Sequence, residues 1–371
     1  MRLEGALPAA VLAAVRAPFA AAGGVEVVTP VAEPLSLYLD LAGEALRERL
    51  FLVQGPGREE YCLRPDFTLG IAQAHIARGA GARRYAYAGP AFRVAPAGSS
   101  RTEQFLQIGL EVYEAADAPA ADADMALLAW RAASAGGRGD LTLMLGDVSL
   151  FGAFLDALGL AGATAVRLKT AFSRPSRLAR ELADPPTAEA PGGRLAELLV
   201  DLDEARAGAV LEEIWSLAGI EPVGGRGASE VVRRLTARAA AGAGPRLGDR
   251  EREAIASYLA IADAPPAALA AVARLASGPA LDAALSAWER RMAGLSEIPT
   301  ARMRLATNFH RSFGYYDGVF FEVRSDALGE DQAVAAGGRY DGLPARLGSP
   351  LATGAVGCMV RPGRAWREGE A

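Results

Sequence analysis

Strand-like and helix-like patterns occupy long separate blocks of this chain, and their order restricts the fold more than any single residue does. From Gly24 to Phe154, short β-branched or aromatic runs (VEVVTP, RERLFLVQ, RRYAYAGPAFRV, FLQIGLEVYEA, DLTLMLGDV) alternate with turn residues, as strands of a mixed sheet do. Helical periodicity intervenes at Leu69 to Arg78 and at Asp122 to Ala133, the second run opening with Asp residues that suit a helix start. Between about Ala165 and Ser296 the strand signals vanish. Ala, Leu, Arg and Glu dominate there, in runs broken at Pro185-Pro186, Gly192-Gly193, Gly224-Gly225 and Pro265-Pro266. Strand character then returns in YYDGVFFEVRS, AAGGRYDGL and GAVGCMV. The pattern predicts an α+β fold: a discontinuous sheet domain of residues 1–164 and 297–371, with residues 165–296 as a helical insertion.

At 371 residues the chain is long enough for one large domain with an insertion, or for two domains. Half of its residues are hydrophobic and 22% charged, which is ordinary globular usage. The net charge of -5 supplies no positive field to draw the chain onto a phosphate backbone. Arg83-Arg84 and Arg233-Arg234 read as solvated faces. Cys62 and Cys358 are the only cysteines; without paired spacing they exclude a cysteine-built zinc site and fit a reducing cytosol. His75 and His310 belong to no ligand-spaced cluster, so no metal is expected. Arg2, Glu4 and Arg16 interrupt the Ala-rich N-terminus before any apolar run reaches the roughly 18 residues of a membrane span. An amphipathic helix is expected there, with Pro8 in its first turn and Gly23-Gly24 as its stop.

Four segments place polar residues in strand-like, apolar surroundings, the pattern of a lined cleft. In YCLRPDFT, Arg64, Asp66 and Thr68 alternate and on a strand would share one face. In AFRVAPAGSSRTEQFLQIGLEVY, a strand carrying Arg93 leads through a polar loop to Gln107, Gly109 and Glu111, which also share a face. HRSFGYYDGVFFEV brings Arg311, Tyr315, Tyr316 and Glu322, and AAGGRYDGL brings Gly337-Gly338 beside Arg339. No GxSxG elbow, phosphate-binding P-loop or dinucleotide fingerprint appears, so hydrolase, nucleotidase and dinucleotide readings lack support.

In order and spacing these four segments resemble histidyl-tRNA synthetase over most of residues 20 to 361. TPVAEP resembles class II motif 1, which builds the dimer interface, and AFRV to GLEVY resembles motif 2. The resemblance implies a class II aminoacyl-tRNA synthetase-like antiparallel or mixed sheet flanked by helices. It also implies a histidine pocket. Asp66 and Thr68 would hold the ammonium, Arg93 a carboxylate or phosphate, and Gln107, Glu111, Tyr315 and Tyr316 would line the site, Tyr316 meeting the imidazole. Arg311 stands where the synthetase keeps its catalytic arginine.

Departures from that pattern bear on activity. Ala95 replaces the acidic residue that helps grip ATP, and GAVGCMVRPGR lacks the motif 3 ending Gly-Leu-Glu-Arg, leaving Arg361 or Arg364 as substitutes. The anticodon-binding domain that would follow motif 3 is expected to be absent, and no tRNA partner is expected. A chain of this kind resembles the regulatory subunits of ATP phosphoribosyltransferase. The resemblance implies a cytoplasmic protein with no catalytic residue and no cofactor. It would form a homodimer within a hetero-oligomer, activate a short-form catalytic subunit and respond to histidine as effector. Two alternatives are an ATP-dependent ligase that activates an amino acid, and a scaffold that binds no small molecule.

Overall fold

The computed structural model describes residues 1–42, 44–57, 59–79, 81–172, 175–182, 202, 204–218, 228, 232, 247–309, 315–329, 332–349 and 353–367. Pro8 opens helix α1 (Ala9–Ala22), which buries Val11, Val15 and Phe19 on one face and stops at Gly23, whose φ of 72° favours glycine. Both bounds agree with the expected placement of Pro8 in the first turn and of Gly23-Gly24 at the stop. The first four residues run along the start of a later strand, with Leu3 bridged to Gln104.

Strand β1 (Val25–Glu26) is followed by β2 (Ala32–Pro34), helix α2 (Leu35–Ala42), β3 (Leu52–Gln54) and β4 (Glu60–Leu63). β2, β4 and β3 form a small antiparallel sheet, in that order. RERLFLVQ, expected as one strand, is a 3-10 turn at Glu44–Arg49 followed by the short β3. Helix α3 (Thr68–Arg78), β5 (Arg83–Phe92), β6 (Gln104–Tyr113), helix α4 (Ala118–Ser134) and β7 (Leu141–Asp147) follow. Helix α4 begins four residues before Asp122, capped by Asp117, whose Oδ1 accepts from Ala120 N at 3.2 Å. Asp122 is not a helix-start residue at all: it is buried and ion-paired with Arg291 and Arg339.

The second strand block supplies β8 (Ala262–Asp263), β9 (Met303–Ala306), β10 (Val319–Ser325), β11 (Ala335–Arg339) and β12 (Ala355–Val360). The large sheet runs β1-β5-β6-β12-β11-β10-β7-β9-β8. Its centre, from β5 to β7, is antiparallel throughout. The late strands β10 to β12 are wedged between β6 and β7, so neither strand block makes the sheet without the other. Alternation fixes which face is which: along β7, Leu141, Leu143 and Leu145 are buried, as are Phe321 and Val323 opposite them on β10.

Two compact units emerge. The larger comprises Met1–Phe154 and Ser257–Ala371, the smaller Leu155–Ala256. In the larger, helices Pro265–Leu275 and Pro279–Gly294 accompany the sheet; Trp288 on the latter donates its indole N–H to Asp147 Oδ2 at 2.8 Å. Composition groups these two helices with the insertion because a helix covering a sheet carries the same Ala-rich and Leu-rich pattern as a helix elsewhere. The smaller unit contains helices Gly162–Phe172, Pro175–Leu182 and Glu204–Ala218, with Ala207, Leu211, Ala228 and Val232 forming a local core. Among the described residues no helix is long and apolar enough to cross a membrane, and no cluster of His, Cys, Asp or Glu is placed to hold a metal ion.

Candidate functional site

One face of the β5-β6-β12-β11 sheet forms the floor of a small cleft. Asp66, Thr68, Arg93, Gln107, Glu111, Tyr315 and Tyr316 all line it. Seven of the eight residues singled out from the sequence therefore share one space, although they are spread from position 66 to 316. The eighth, Arg311, lies outside the described residues, as do His310 and Arg233-Arg234.

Each residue reaches the cleft by its own local route. Gln107 and Glu111 lie four apart on β6 and so face the same side. Asp66 and Thr68 are not on a strand, contrary to expectation. β4 ends at Leu63, Asp66 sits in the following turn, and Thr68 opens helix α3. The turn separates Arg64 from the other two: its Nη1 donates to Thr29 O at 2.7 Å, its Nε donates to Pro90 O at 2.9 Å, and its plane lies over Phe67. Arg93 follows the end of β5 and donates Nε–H to Pro65 O at 2.9 Å. Tyr315 and Tyr316 precede β10 and pack on each other with ring centres 4.7 Å apart.

Glycines give the side chains room to lie across the floor. Tyr87 on β5 stands opposite Gly109 on β6, and Glu111 on β6 stands opposite Gly357 on β12. A Cβ at either glycine would overlap the facing Tyr87 or Glu111 side chain. Alternation on β6 places Gly109 on the cleft face, but nothing in the sequence pairs Glu111 with Gly357, which lies on a distant strand. Sequence reasoning also passed over Tyr87, Tyr340, Cys358 and Met359, which line the cleft as well. Tyr340 follows Arg339, to which the sequence drew attention, but Arg339 itself turns from the cleft and pairs with Asp122.

Electrostatically the floor is rich in acids. Glu111 is buried, its Oε1 accepting from Thr68 Oγ1 at 2.9 Å and its Oε2 from the Tyr340 hydroxyl. Burial pushes its carboxyl up to about 8, against the opposing effect of those hydrogen bonds. Behind the cleft, Glu33 on β2 accepts from the Tyr38 hydroxyl. Burial, with a further contribution from Asp66, pushes its carboxyl up to about 7. Such a floor suits a ligand carrying a cationic group beside an aromatic or imidazole ring, for which tyrosines and Gln107 are natural neighbours.

Of the two arginines expected as substitutes for the motif 3 arginine, Arg364 donates Nη1–H to Ala333 O at 2.9 Å and Arg361 is committed elsewhere. Arg361 is buried with its guanidinium 3.5 Å from the centre of the Phe105 ring, donating Nη2–H to Thr102 Oγ1 at 2.8 Å and lying 3.6 Å from Glu4. Glu4 belongs to the extended N-terminal stretch, where Arg2 pairs with Glu103 at 3.2 Å.

The interleaved sheet and its lined cleft define a domain of the class II, histidyl-tRNA synthetase type. The sequence matches the family described as Histidyl-tRNA synthetase over residues 7–214 and 209–361. Among solved structures, an ATP phosphoribosyltransferase regulatory subunit/histidyl-tRNA synthetase from Bacillus halodurans C superposes with a TM-score of 0.63 at 18% identity, covering 96% of this chain and 78% of that one. This likeness concerns the fold alone. Two curated relatives are nearer in sequence. The ATP phosphoribosyltransferase regulatory subunit of Chelativorans sp. (strain BNC1) is 35% identical over 339 residues, 87% of this chain and 88% of the relative. That of Sinorhizobium fredii (strain NBRC 101917 / NGR234) is 36% identical over 351 residues, 89% and 88% respectively. The chain belongs to the ATP phosphoribosyltransferase regulatory subunit family.

Proposed function

We propose that this chain regulates without catalysing: it activates a short-form ATP phosphoribosyltransferase catalytic subunit and is required for feedback inhibition of that enzyme by histidine, bound in the cleft described above. The observation that carries the reading is the contrast between two regions. Asp66, Thr68, Gln107, Glu111, Tyr315 and Tyr316 surround one small space suited to an amino acid, whereas Arg361 is stacked on Phe105 and engaged by Thr102 and Glu4. A buried guanidinium so engaged is poorly placed to meet developing charge on a phosphate. Histidine would act by binding one arrangement of the complex more tightly than another.

The same reading has the chain pairing with a second copy through the segment that resembles motif 1. Val25, Val28 and Val31, together with Leu52 and Val53 on β3, are exposed apolar side chains on and around β1 and the small sheet, the kind of surface that association covers.

The test combines three measurements on one preparation. Histidine titrated calorimetrically into the chain should bind. Addition of the chain to a purified short-form catalytic subunit should raise its rate and make that rate sensitive to histidine. Histidine-dependent exchange of pyrophosphate into ATP should stay at background; exchange above it would make the chain a ligase and overturn the reading.

A further inference from the structure

Glu111 is a carboxylic acid in a place that offers a carboxylate little support. It is 2% exposed, and among the described residues no cation forms an ion pair with it. Among the described residues its oxygens meet hydroxyl donors, from Thr68, Tyr340 and Tyr87. The other groups that interact with it electrostatically are neutral or acidic: Tyr113 from its own strand, Cys358 from β12, and Asp66 from the turn before α3. Directly opposite it, β12 places Gly357, which has no side chain. Glu33 lies behind Asp66 and adds a third acid. Among the described residues, Arg64 directs donors to the carbonyls of Thr29 and Pro90 and to the Thr29 hydroxyl, and Arg93 directs Nε–H to Pro65 O. A buried carboxyl so placed resolves the cost of burying a charge by keeping its proton. The upward displacement of its ionisation agrees.

We propose that Glu111 is protonated in the empty cleft and gives up that proton to the solvent when the cationic group of a bound amino acid comes to lie beside it. The inference rests on the reading that histidine occupies this cleft, and it adds what sets the affinity. The ligand's ammonium keeps its protons and replaces, as the local positive charge, the one that leaves. The Glu111 O–H bond breaks, its electron pair stays on the carboxylate, and the proton passes to buffer. Thr68 and Tyr340 then donate to a charged acceptor in place of a neutral one, which strengthens both hydrogen bonds. The cleft thereby favours ligands whose cation reaches Glu111 and holds weakly those of similar shape that lack it.

The experiment is calorimetric titration of histidine into the full chain at pH 7 in phosphate, HEPES and Tris, whose ionisation heats differ. The expected result is a binding heat that varies linearly with buffer ionisation heat, with a slope near one proton released per histidine. The affinity should also tighten about fivefold from pH 7 to pH 8, less than the tenfold of one full proton because the free carboxyl, ionising at about 8, is already half deprotonated at the upper pH. Glu111→Gln should remove the slope. If that variant binds too weakly for calorimetry, infrared difference spectra of the unaltered chain replace it, and the carbonyl stretch of a protonated carboxyl should disappear when histidine is added. Binding with equal heat in all three buffers, or an unchanged infrared band, overturns proton release while leaving histidine in the cleft. Absence of binding to the unaltered chain overturns the cleft reading and this inference together.

Discussion

Gly357 on β12 faces Glu111 on β6 across a backbone pair, and the Glu111 carboxyl lies over the space where any larger residue would place its Cβ. The relationship binds two distant parts of the sequence into one requirement. Glu111 can reach Thr68 and Tyr340 only because position 357 has no side chain. Gly357→Ala should displace the Glu111 side chain and cost the cleft at least tenfold in histidine affinity, read by calorimetry. Unchanged affinity would mean that Glu111 does not touch the ligand.

Asp122 accepts from Arg291 Nε at 2.8 Å and from Arg339 Nε at 2.8 Å, and all three residues are buried. The cluster ties helix α4 to β11 and to the helix Pro279–Gly294. Removing the one carboxylate leaves two buried guanidiniums uncompensated, which costs about 3–5 kcal/mol in comparable pairs. Asp122→Ala should lower the urea midpoint accordingly; a change under about 1 kcal/mol would mean water replaces the carboxylate.

Buried Glu33 holds its proton up to about pH 7 because burial disfavours its charged form. Unfolded, it titrates at the ordinary value of 4.5. Between those values the folded chain binds more protons than the unfolded one, so this contribution to stability is complete below the lower value and is lost as pH rises through the upper. Glu33→Gln cannot ionise. Its stability relative to the unaltered chain should therefore improve from pH 5.5 to pH 8.5, measured as the difference in urea midpoints. A constant difference across that range would count against a buried, proton-holding Glu33.

Val28 is 90% exposed and Val25 62%. If these side chains meet a second copy, Val28→Asp should shift the chain toward monomer in sedimentation velocity, with its melting temperature at low protein concentration unaffected. A mass distribution identical to that of the unaltered chain would place self-association on another surface.

How much of this was legible in the sequence depended on the range of the signal. The β6 residues were readable because Gln107, Gly109 and Glu111 alternate within one strand, where period two decides the face. Arg64, Asp66 and Thr68 show the same spacing, yet the chain turns after Leu63 and opens a helix at Thr68, so period two failed there. Pro65 was the available warning, since it has no N–H to donate to a strand ladder. Tyr340 was hidden by its neighbour, because a charged Arg339 attracts attention that its structural pairing with Asp122 does not merit. The glycines opposite Tyr87 and Glu111 depend on strand register, which no local pattern reveals.

The wedging of β10, β11 and β12 between β6 and β7 bears on how the chain comes off the ribosome. β6 and β7 are complete by Asp147, but the three strands that fill the gap between them are not finished until Val360. Throughout synthesis of everything between, both strands present bare ladder edges, and bare edges recruit foreign strands. Closure of the sheet awaits contacts between parts of the chain far apart in sequence, which slows folding. The cleft, whose floor includes β12, is therefore assembled last, and a nascent chain interrupted before Ala355 has none.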